Sequence, residues 1–461
     1  MRLLSKRKQD VWKKKDMRKR LFHLARPIFL ETLLMMSLGT IDIFMLSQVS
    51  DENVAAVGLV NQILNMIFLI FVVGATGSLV VCSQYLGAKR YSDFLMTARV
   101  SLFLNAAIGL IVSFLLFFGT QTILEIMDAK ADLLCDATKY CKIVGGFAFL
   151  VSLTSIATSI LRAREMAQYP MYVSLITNIV NIIGNYLLIF GHMGFPALGV
   201  AGAAWATVVS RLVGLILLLF FLAKWGLRLE EKRTVYTIKT FCAEALTKIL
   251  QIVRIGIPGA GELFSYASFQ AVIIYFVNML GVEALAARTY MMNIVIYTFI
   301  FSIAIAQAAS VTCGHLVGKH KFAAAKALGN FAINRSTLVS GTLSLFLALL
   351  APFFMPIMTD NEQVLSLCLT LFWIDILREI GRAINIPTGR LLAAVGDPLF
   401  PFKVSITVIW SVGTIGSYVA GIVLGFGLIG MWIAFLIDEC LRAGIQWYYW
   451  RQGRWMNKSI C

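Results

Sequence analysis

The sequence predicts an all-α integral membrane protein of about twelve transmembrane helices, built as two homologous, parallel six-helix lobes with both termini in the cytoplasm. Three observations carry this: composition, the placement of charge between apolar runs, and an internal repeat. The 461 residues are 59% hydrophobic and only 14% charged, with a mean hydropathy of +0.81. Soluble domains carry roughly 25% charged residues. The apolar runs reach the ~20 residues that cross a bilayer as helix, the form that satisfies every backbone polar group in lipid. The short alternating segments of a membrane β-barrel do not occur.

The predicted spans are 24–47, 54–78, 94–120, 139–163, 169–191, 199–224, 256–280, 285–317, 328–357, 364–392, 400–424 and 428–448. Turn-forming clusters separate them, among them Ser50-Asp51-Glu52-Asn53, Asp360-Asn361-Glu362 and Gly396-Asp397-Pro398. Even-numbered spans lead into basic loops: Lys89-Arg90, Arg162 with Arg164, segment 225–255, Lys319-His320-Lys321, and the tail with Arg451 and Arg454. Odd-numbered spans lead into loops nearly free of Lys and Arg, with Lys130 the exception. The positive-inside rule then places both termini in the cytoplasm of a bacterial inner membrane. The net charge of +16 reads as topology and excludes the nucleic-acid partner it would suggest in a soluble protein.

Ten Lys and Arg fall within the first twenty residues. They read as a cytoplasmic tail on anionic lipid, since no small-residue cleavage site follows the first span. The domain order is a basic tail at 1–20, a first lobe at 21–224, a linker at 225–255, a second lobe at 256–450 and a short tail at 451–461. The linker charges, from Arg228 to Lys248, suggest an amphipathic helix on the membrane surface. The eight cysteines are scattered and read as apolar filler.

A shift of 231 residues superimposes the halves. Pro27 meets Pro258, Glu31 meets Glu262, Gly87 meets Gly318, Leu161 meets Leu392 and Pro170 meets Pro401. After a three-residue slip, Gly199, Gly202 and Ala206 meet Gly427, Gly430 and Ala434. Six helices per half give both halves one orientation, the arrangement of transporters that bind substrate where the repeats meet. No nucleotide-binding motif occurs and the four histidines form no H-E-x-x-H, so neither an enzyme nor a nucleotide-driven pump is expected. The reading requires no cofactor beyond a coupling ion, H⁺ or Na⁺. Its partners are the bilayer and small amphipathic or cationic molecules, handled by a monomer.

A charged residue inside a span costs roughly 2.5–3.5 kcal/mol on insertion scales and is a functional candidate by default. Span 1 carries Glu31 and Asp42 on one face, ~16 Å apart by helix rise. Glu31 is repeated by Glu262 after the same proline, which suits a structural role as well as a functional one. Asp42 has no repeat partner, because position 273 is Ile, and is the candidate proton or cation site. Asn178, Asn181 and Asn185 share one face of span 5, where their amides can coordinate Na⁺ (at Asp42 and Asn178), hydrogen-bond Asp42 across the lobe, or serve as interhelical glue. Arg211 in span 6 is a candidate counter-charge. Span 10 holds Asp375, Arg378, Glu379 and Arg382 in one stripe bordered by Asn385. The matching first-half residues are Val144, Phe147, Ala148, Val151 and Thr154. The stripe reads either as a self-compensated salt-bridge seam or as the wall of a titratable cavity.

At these residues the sequence resembles the multidrug and toxic compound extrusion (MATE) family of the MOP flippase/exporter superfamily. The resemblance rests on Ile41-Asp42-Ile43-Phe44-Met45, Val54-Ala55-Ala56-Val57-Gly58, Gln84-Tyr85-Leu86-Gly87-Ala88-Lys89-Arg90, Leu198-Gly199-Val200-Ala201-Gly202, Gly256-Ile257-Pro258 and Gly396-Asp397, in order from about residue 20 to 450. It implies a V-shaped pair of lobes that exports organic cations and amphiphiles against H⁺ or Na⁺, with the family's span-1 acid at Asp42. The family's span-7 acid falls near Tyr266, one turn beyond Glu262. The span-10 acid of some members falls at Arg382, with Glu379 one turn before it. A lipid-linked oligosaccharide flippase of the same superfamily is the alternative, for which Arg378, Arg382 and Arg390 would supply a cationic cavity.

Overall fold

The computed structural model describes residues 2–126, 131–228, 238–458 and 460. Lys130 and linker residues 229–237 lie outside the described residues. All regular structure among those described is helical: α1 (Arg2–Ser47), α2 (Asp51–Gly87), α3 (Tyr91–Ile126), α4 (Ala131–Gly146), α5 (Ala148–Ala163), α6 (Gln168–Phe190), α7 (Val200–Phe221), α8 (Ile238–Asn278), α9 (Val282–Gly318), α10 (Phe322–Met358), α11 (Glu362–Ala394), α12 (Leu399–Val408), α13 (Gly416–Tyr418) and α14 (Gly427–Gln452), with short 3₁₀ and π turns. Among the described residues, nine helical segments are long and apolar enough to cross a membrane, and α4 with α5, bent by 43°, makes a tenth if the pair is one span. The two remaining expected spans are α11 and α14, of 33 and 26 residues, whose buried charges lower their hydropathy.

Local chemistry sets the helix starts. Ser50 caps α2 by accepting from Asn53 N at 3.2 Å, with Asp51 and Glu52 in the first turn, where carboxylates favour the helix dipole. Asn361 caps α11 by accepting from the amides of Gln363 and Val364. The outward face is apolar: Phe103, Phe118, Phe353 and Ile357 are among the most exposed large side chains. An apolar exterior around polar interior groups is the distribution a bilayer demands.

The chain divides into two compact units, Leu30–Ala260 and Met1–Phe29 with Gly261–Cys461. The first is packed around Leu46, Val60, Leu64, Phe71, Tyr140, Cys141, Val144 and Ala204. The second is packed around Phe269, Ile273, Val277, Met291, Leu371, Met431 and Trp432. Repeat-related contacts recur inside them. A Cβ on Gly202 would strike the carbonyl oxygen of Leu188, and one on Gly430 that of Ala420. Tyr169 stacks on Trp225 at 4.9 Å between centroids, and its repeat mate Phe400 stacks on Tyr449 at 3.7 Å. Pro27 and Pro258 both lie within helices. The breaks between the units, after Phe29 and after Ala260, are also 231 residues apart.

Two expectations need correction. The linker yields no separate surface helix over 238–255; from Ile238 the chain is one helix through Pro258 to Asn278. Lys248, counted among its surface charges, is buried. It pairs with Asp93 Oδ1 at 2.5 Å and donates to Tyr85 Oη at 2.9 Å. Gly77 and Gly256 let α2 and α8 touch through the carbonyls of Ile252 and Val73. An amphipathic pattern fits a polar bundle end as well as a headgroup layer, and here the bundle takes it. The basic N-terminal stretch is likewise continuous with α1 from Arg2. Span 11 holds as one apolar span, Leu399–Val423, with π turns at Ile409–Ile415 and Val419–Val423 inside it.

Candidate functional site: two buried polar clusters

The first unit gathers its polar side chains around Asp42. Asp42 projects from α1 toward α6, where Asn185 Nδ2 donates to Asp42 Oδ1 at 2.6 Å and to Asn181 Oδ1 at 3.1 Å. Asn181 Nδ2 donates to Thr207 Oγ1 at 3.4 Å, and Thr207 donates to the Ala203 carbonyl at 2.9 Å. The direction of this chain is fixed from its far end. Thr207 has one proton and gives it to Ala203, so it must accept from Asn181. Asn181 Oδ1 therefore faces Asn185, and Asn185 presents its nitrogen to Asp42. Asn181 and Asn185 are fully buried, and Asn185 Oδ1 has no hydrogen-bond partner.

Asn178 does not join the hydrogen bonds at Asp42. It donates to the Leu34 carbonyl at 2.8 Å, eight residues and ~12 Å of helix rise before Asp42. Arg211, on α7, lies 5.9 Å from the Phe68 ring centroid. Its buried Nη1 makes no hydrogen bond. Tyr140 Oη reaches Asn61 Oδ1 at 3.4 Å. Glu31 is buried and paired with Arg162 Nη2 at 2.8 Å, which ties α1 to the end of α5.

The second unit holds a denser network. Asp375 pairs with Arg378 at 2.5 Å and Glu379 with Arg382 at 3.4 Å. Trp432 Nε1 donates to Asp375 Oδ1 at 3.3 Å. Arg382 also reaches Glu439 Oε1 at 3.5 Å, and Asn385 Nδ2 donates to Glu439 Oε2 at 3.0 Å. Arg442 pairs with Asp438 and lies 3.1 Å from Glu439. All seven charged groups and Asn385 are buried. These bridges join four carboxylates to three guanidiniums, one acid in excess.

The α14 members Asp438, Glu439 and Arg442 were missed in the sequence, although three charges inside an apolar helix are the same signal that singled out span 10. Tyr266 and Glu262 lie at the edge of the network. Tyr266 Oη accepts from Gln270 at 2.7 Å, and Gln270 accepts from Arg288 at 2.9 Å. Glu262 accepts from Ser405 at 2.6 Å. Among the described residues, no group of three or more His, Cys, Asp or Glu is arranged to hold a metal.

Two polar clusters, each inside one unit of a duplicated helical fold, define a membrane transporter built from internal repeats. The sequence model of the MatE family matches residues 27–187 and 258–419, two copies whose starts are 231 residues apart. The chain belongs to the MatE family. It is 34% identical to the uncharacterized transporter YisQ of Bacillus subtilis, over 98% of this chain and all of that one. It is 25% identical to the probable multidrug resistance protein NorM of Thermotoga maritima, covering 96% and 94% of the two chains. The fold matches an outward-facing multidrug resistance MATE family transporter of the MOP superfamily with a TM-score of 0.86 at 17% identity, over 96% and 97% of the two chains.

Proposed function

We propose that this protein is a secondary antiporter that exports organic cations and amphipathic drugs in exchange for H⁺ or Na⁺, with Asp42 as the coupling acid. The observation that carries the reading is the Asp42–Asn185 hydrogen bond. It places a carboxylate without a repeat counterpart at the head of a buried amide chain, inside a membrane span, where a charge is costly. In the proposed cycle an ion binds Asp42 from outside, weakens drug binding and favours release, then leaves to the cytoplasm on the return. One acid whose occupancy changes the affinity for a second ligand is a sufficient coupling device. Relatives that carry the name multidrug resistance protein support the drug as cargo. The second-unit network around Glu379 and Arg382, with its excess acid, is the secondary candidate for holding a proton.

The protein acts as a monomer in the bacterial inner membrane with both termini cytoplasmic, a placement supported by the basic even-numbered loops and by bacterial relatives. The flippase alternative wants a free cationic cavity, whereas Arg378 and Arg382 are both engaged by carboxylates.

The test is ethidium flux into proteoliposomes of the purified protein, with a pH gradient or a Na⁺ gradient imposed separately. Gradient-driven flux is expected. No flux under either gradient, with binding of lipid-linked anions instead, would replace this reading with the flippase.

A further inference from the structure

We infer that the seam between α11 and α14 carries protons between the buried acids of the second unit and the far ends of those helices. Gln446, beside Gly389, is the last relay, through water that it holds. The inference rests on the antiporter reading above and adds to it a path and a site.

The seam has a regular construction. Trp432 meets Asp375, Glu439 meets Arg382, and Gln446 lies against Gly389, each pair 57 residues apart. The pairs recur every seventh residue. Two helices running in the same direction therefore face each other with polar groups layer by layer, over ~21 Å of helix rise. The matching layers of the first half pair Val144 with Ala204, Val151 with Arg211 and Thr158 with Leu218. Both helices run on to Ala394 and Gln452, the end that the basic loops assign to the cytoplasm.

Within the seam, shared guanidiniums link one acid to the next. Arg382 stands 3.4 Å from Glu379 Oε2 and 3.5 Å from Glu439 Oε1. Both exceed the ~2.7–2.9 Å of a committed charge-assisted bond, so the cation favours neither acid. Arg442 is shared in turn between Glu439 and Asp438. The rings of Phe299 and Trp432 lie 4.7 Å and 5.1 Å from the Arg382 and Arg378 guanidiniums and help fix them. Glu379 Oε1 and Asp375 Oδ2 are buried oxygens without a hydrogen-bond partner among the described residues, open to a proton. In each hop a carboxyl O–H bond breaks and its electron pair stays on the oxygen. The carboxylate left behind is held by its guanidinium, and the proton forms an O–H bond to the next carboxylate or to water. The guanidiniums keep all their protons.

Gln446 shows where the path leaves the acids. It is wholly buried, yet neither Oε1 nor Nε2 has a partner among the described residues. A buried amide left unpaired is costly, and water is what satisfies such groups inside proteins. The facing residue supplies the room, since a Cβ on Gly389 would stand 3.2 Å from Gln446 Oε1. Gln446 follows Arg442 by one turn on the same face of α14. Its amide both accepts and donates, as a water that takes and passes protons requires.

The test is infrared spectroscopy of the full-length protein in detergent, mixed rapidly into D₂O. The Asp42→Asn background is used, so that the acid of the first unit adds no band. The readout is the shift of the protonated-carboxyl C=O band as deuterium replaces its proton. A band that Glu379→Gln removes is expected. Gln446→Leu should slow its shift at least about tenfold, the kinetic equivalent of one hydrogen bond lost at the barrier. Gly389→Ala, which crowds the amide without removing it, should slow it in the same sense. Thr388→Val should exchange at the native rate, because that buried hydroxyl is bonded to the Ile384 carbonyl of its own helix. Absence of the band, native rates in both Gln446→Leu and Gly389→Ala, or equal slowing in Thr388→Val overturns the inference. Should Gln446→Leu fail to fold, Gly389→Ala decides. No gradient and no drug enter this measurement, so absent ethidium flux in proteoliposomes would sink the antiporter reading and leave the exchange result standing.

Discussion

The two halves share a register of prolines and glycines yet have opposite interiors. Where the first half has Asp42, the second has Ile273, wholly buried in its apolar core. The first-half amides Asn178, Asn181 and Asn185 correspond to Ile409, Val412 and Gly416. Conversely, the apolar set Val144, Phe147, Ala148 and Val151 corresponds to Asp375, Arg378, Glu379 and Arg382. Even the span-6 cation is inverted, since Arg211 aligns with Glu439 after the three-residue slip. The landmarks that persist are those the backbone needs: Gly202 and Gly430 each touch a neighbouring carbonyl, where a side chain would force the helices apart. The lesson is that this fold constrains helix contact far more than it constrains where buried charge sits. One half was free to keep a sparse acid site, and the other a compensated network.

The sharpest way to break this comparison is at Asp42. Asp42→Asn is expected to reduce gradient-driven ethidium flux to the level of empty liposomes while leaving the protein monodisperse on size-exclusion chromatography; normal flux would remove Asp42 from the mechanism. Moving the acid to the other half should not rescue it. In the Asp42→Asn background, Ile273→Asp buries a charge in a packed apolar cluster, at roughly 2.5–3.5 kcal/mol. The double variant should remain inactive and unfold at a lower temperature in a detergent melt.

Next in size is the second-half network. Arg442→Met strips Asp438 and Glu439 of their shared partner, and breaking a buried ion pair costs about 3–5 kcal/mol. Its melting temperature should fall more than that of Arg211→Met, which removes a guanidinium lying over the Phe68 ring. Adding Asp438→Leu and Glu439→Leu to Arg442→Met should recover part of the loss. Equal melts for Arg442→Met and Arg211→Met would mean that the network is no more a structural seam than the contact of Arg211 with Phe68. A smaller effect is expected at Glu31. Glu31→Gln keeps shape and hydrogen-bonding capacity but loses the charge opposite Arg162. About 1–3 kcal/mol of stability and a few-fold change in flux should follow.

Much of this was legible in the sequence, and what was not has physical reasons. Asp42 stood out because an intramembrane acid without a repeat partner has few structural excuses. The span boundaries followed from Ser50 and Asn361, which do cap their helices. The bridge from Arg382 to Glu439 spans 57 residues, and periodicity along one helix cannot show which helix will face it. Lys248 was misread because its pattern of neighbours suits a lipid headgroup and the carboxylate of Asp93 equally well. The π turns of span 11 leave no sequence signal beyond scattered glycines such as Gly413 and Gly421.

The smallest predicted effect tests whether inverted polarity extends to the ends of the halves. In the first half, Arg164, just after α5, donates to the Trp225 carbonyl at 3.2 Å. In the second, Val395 stands at the register of Arg164, and the loop's charge is Asp397, the mate of Met166, which accepts from Tyr449 at 2.7 Å and pairs with Lys458 at 2.8 Å. The hydrogen bond to Asp397 holds the Lys458 ammonium above its usual pKa. A raised lysine contributes fully below its unfolded pKa of about 10.4, and the contribution is lost only as pH climbs through the higher folded value. Lys458 is largely exposed, so solvent screens the pair. Lys458→Met should therefore lower the melting temperature only slightly, by the same amount at pH 6 and pH 9. A loss that vanished between those values would mean that Lys458 gives up its proton below the lysine range, and that Asp397 is held by Tyr449 instead.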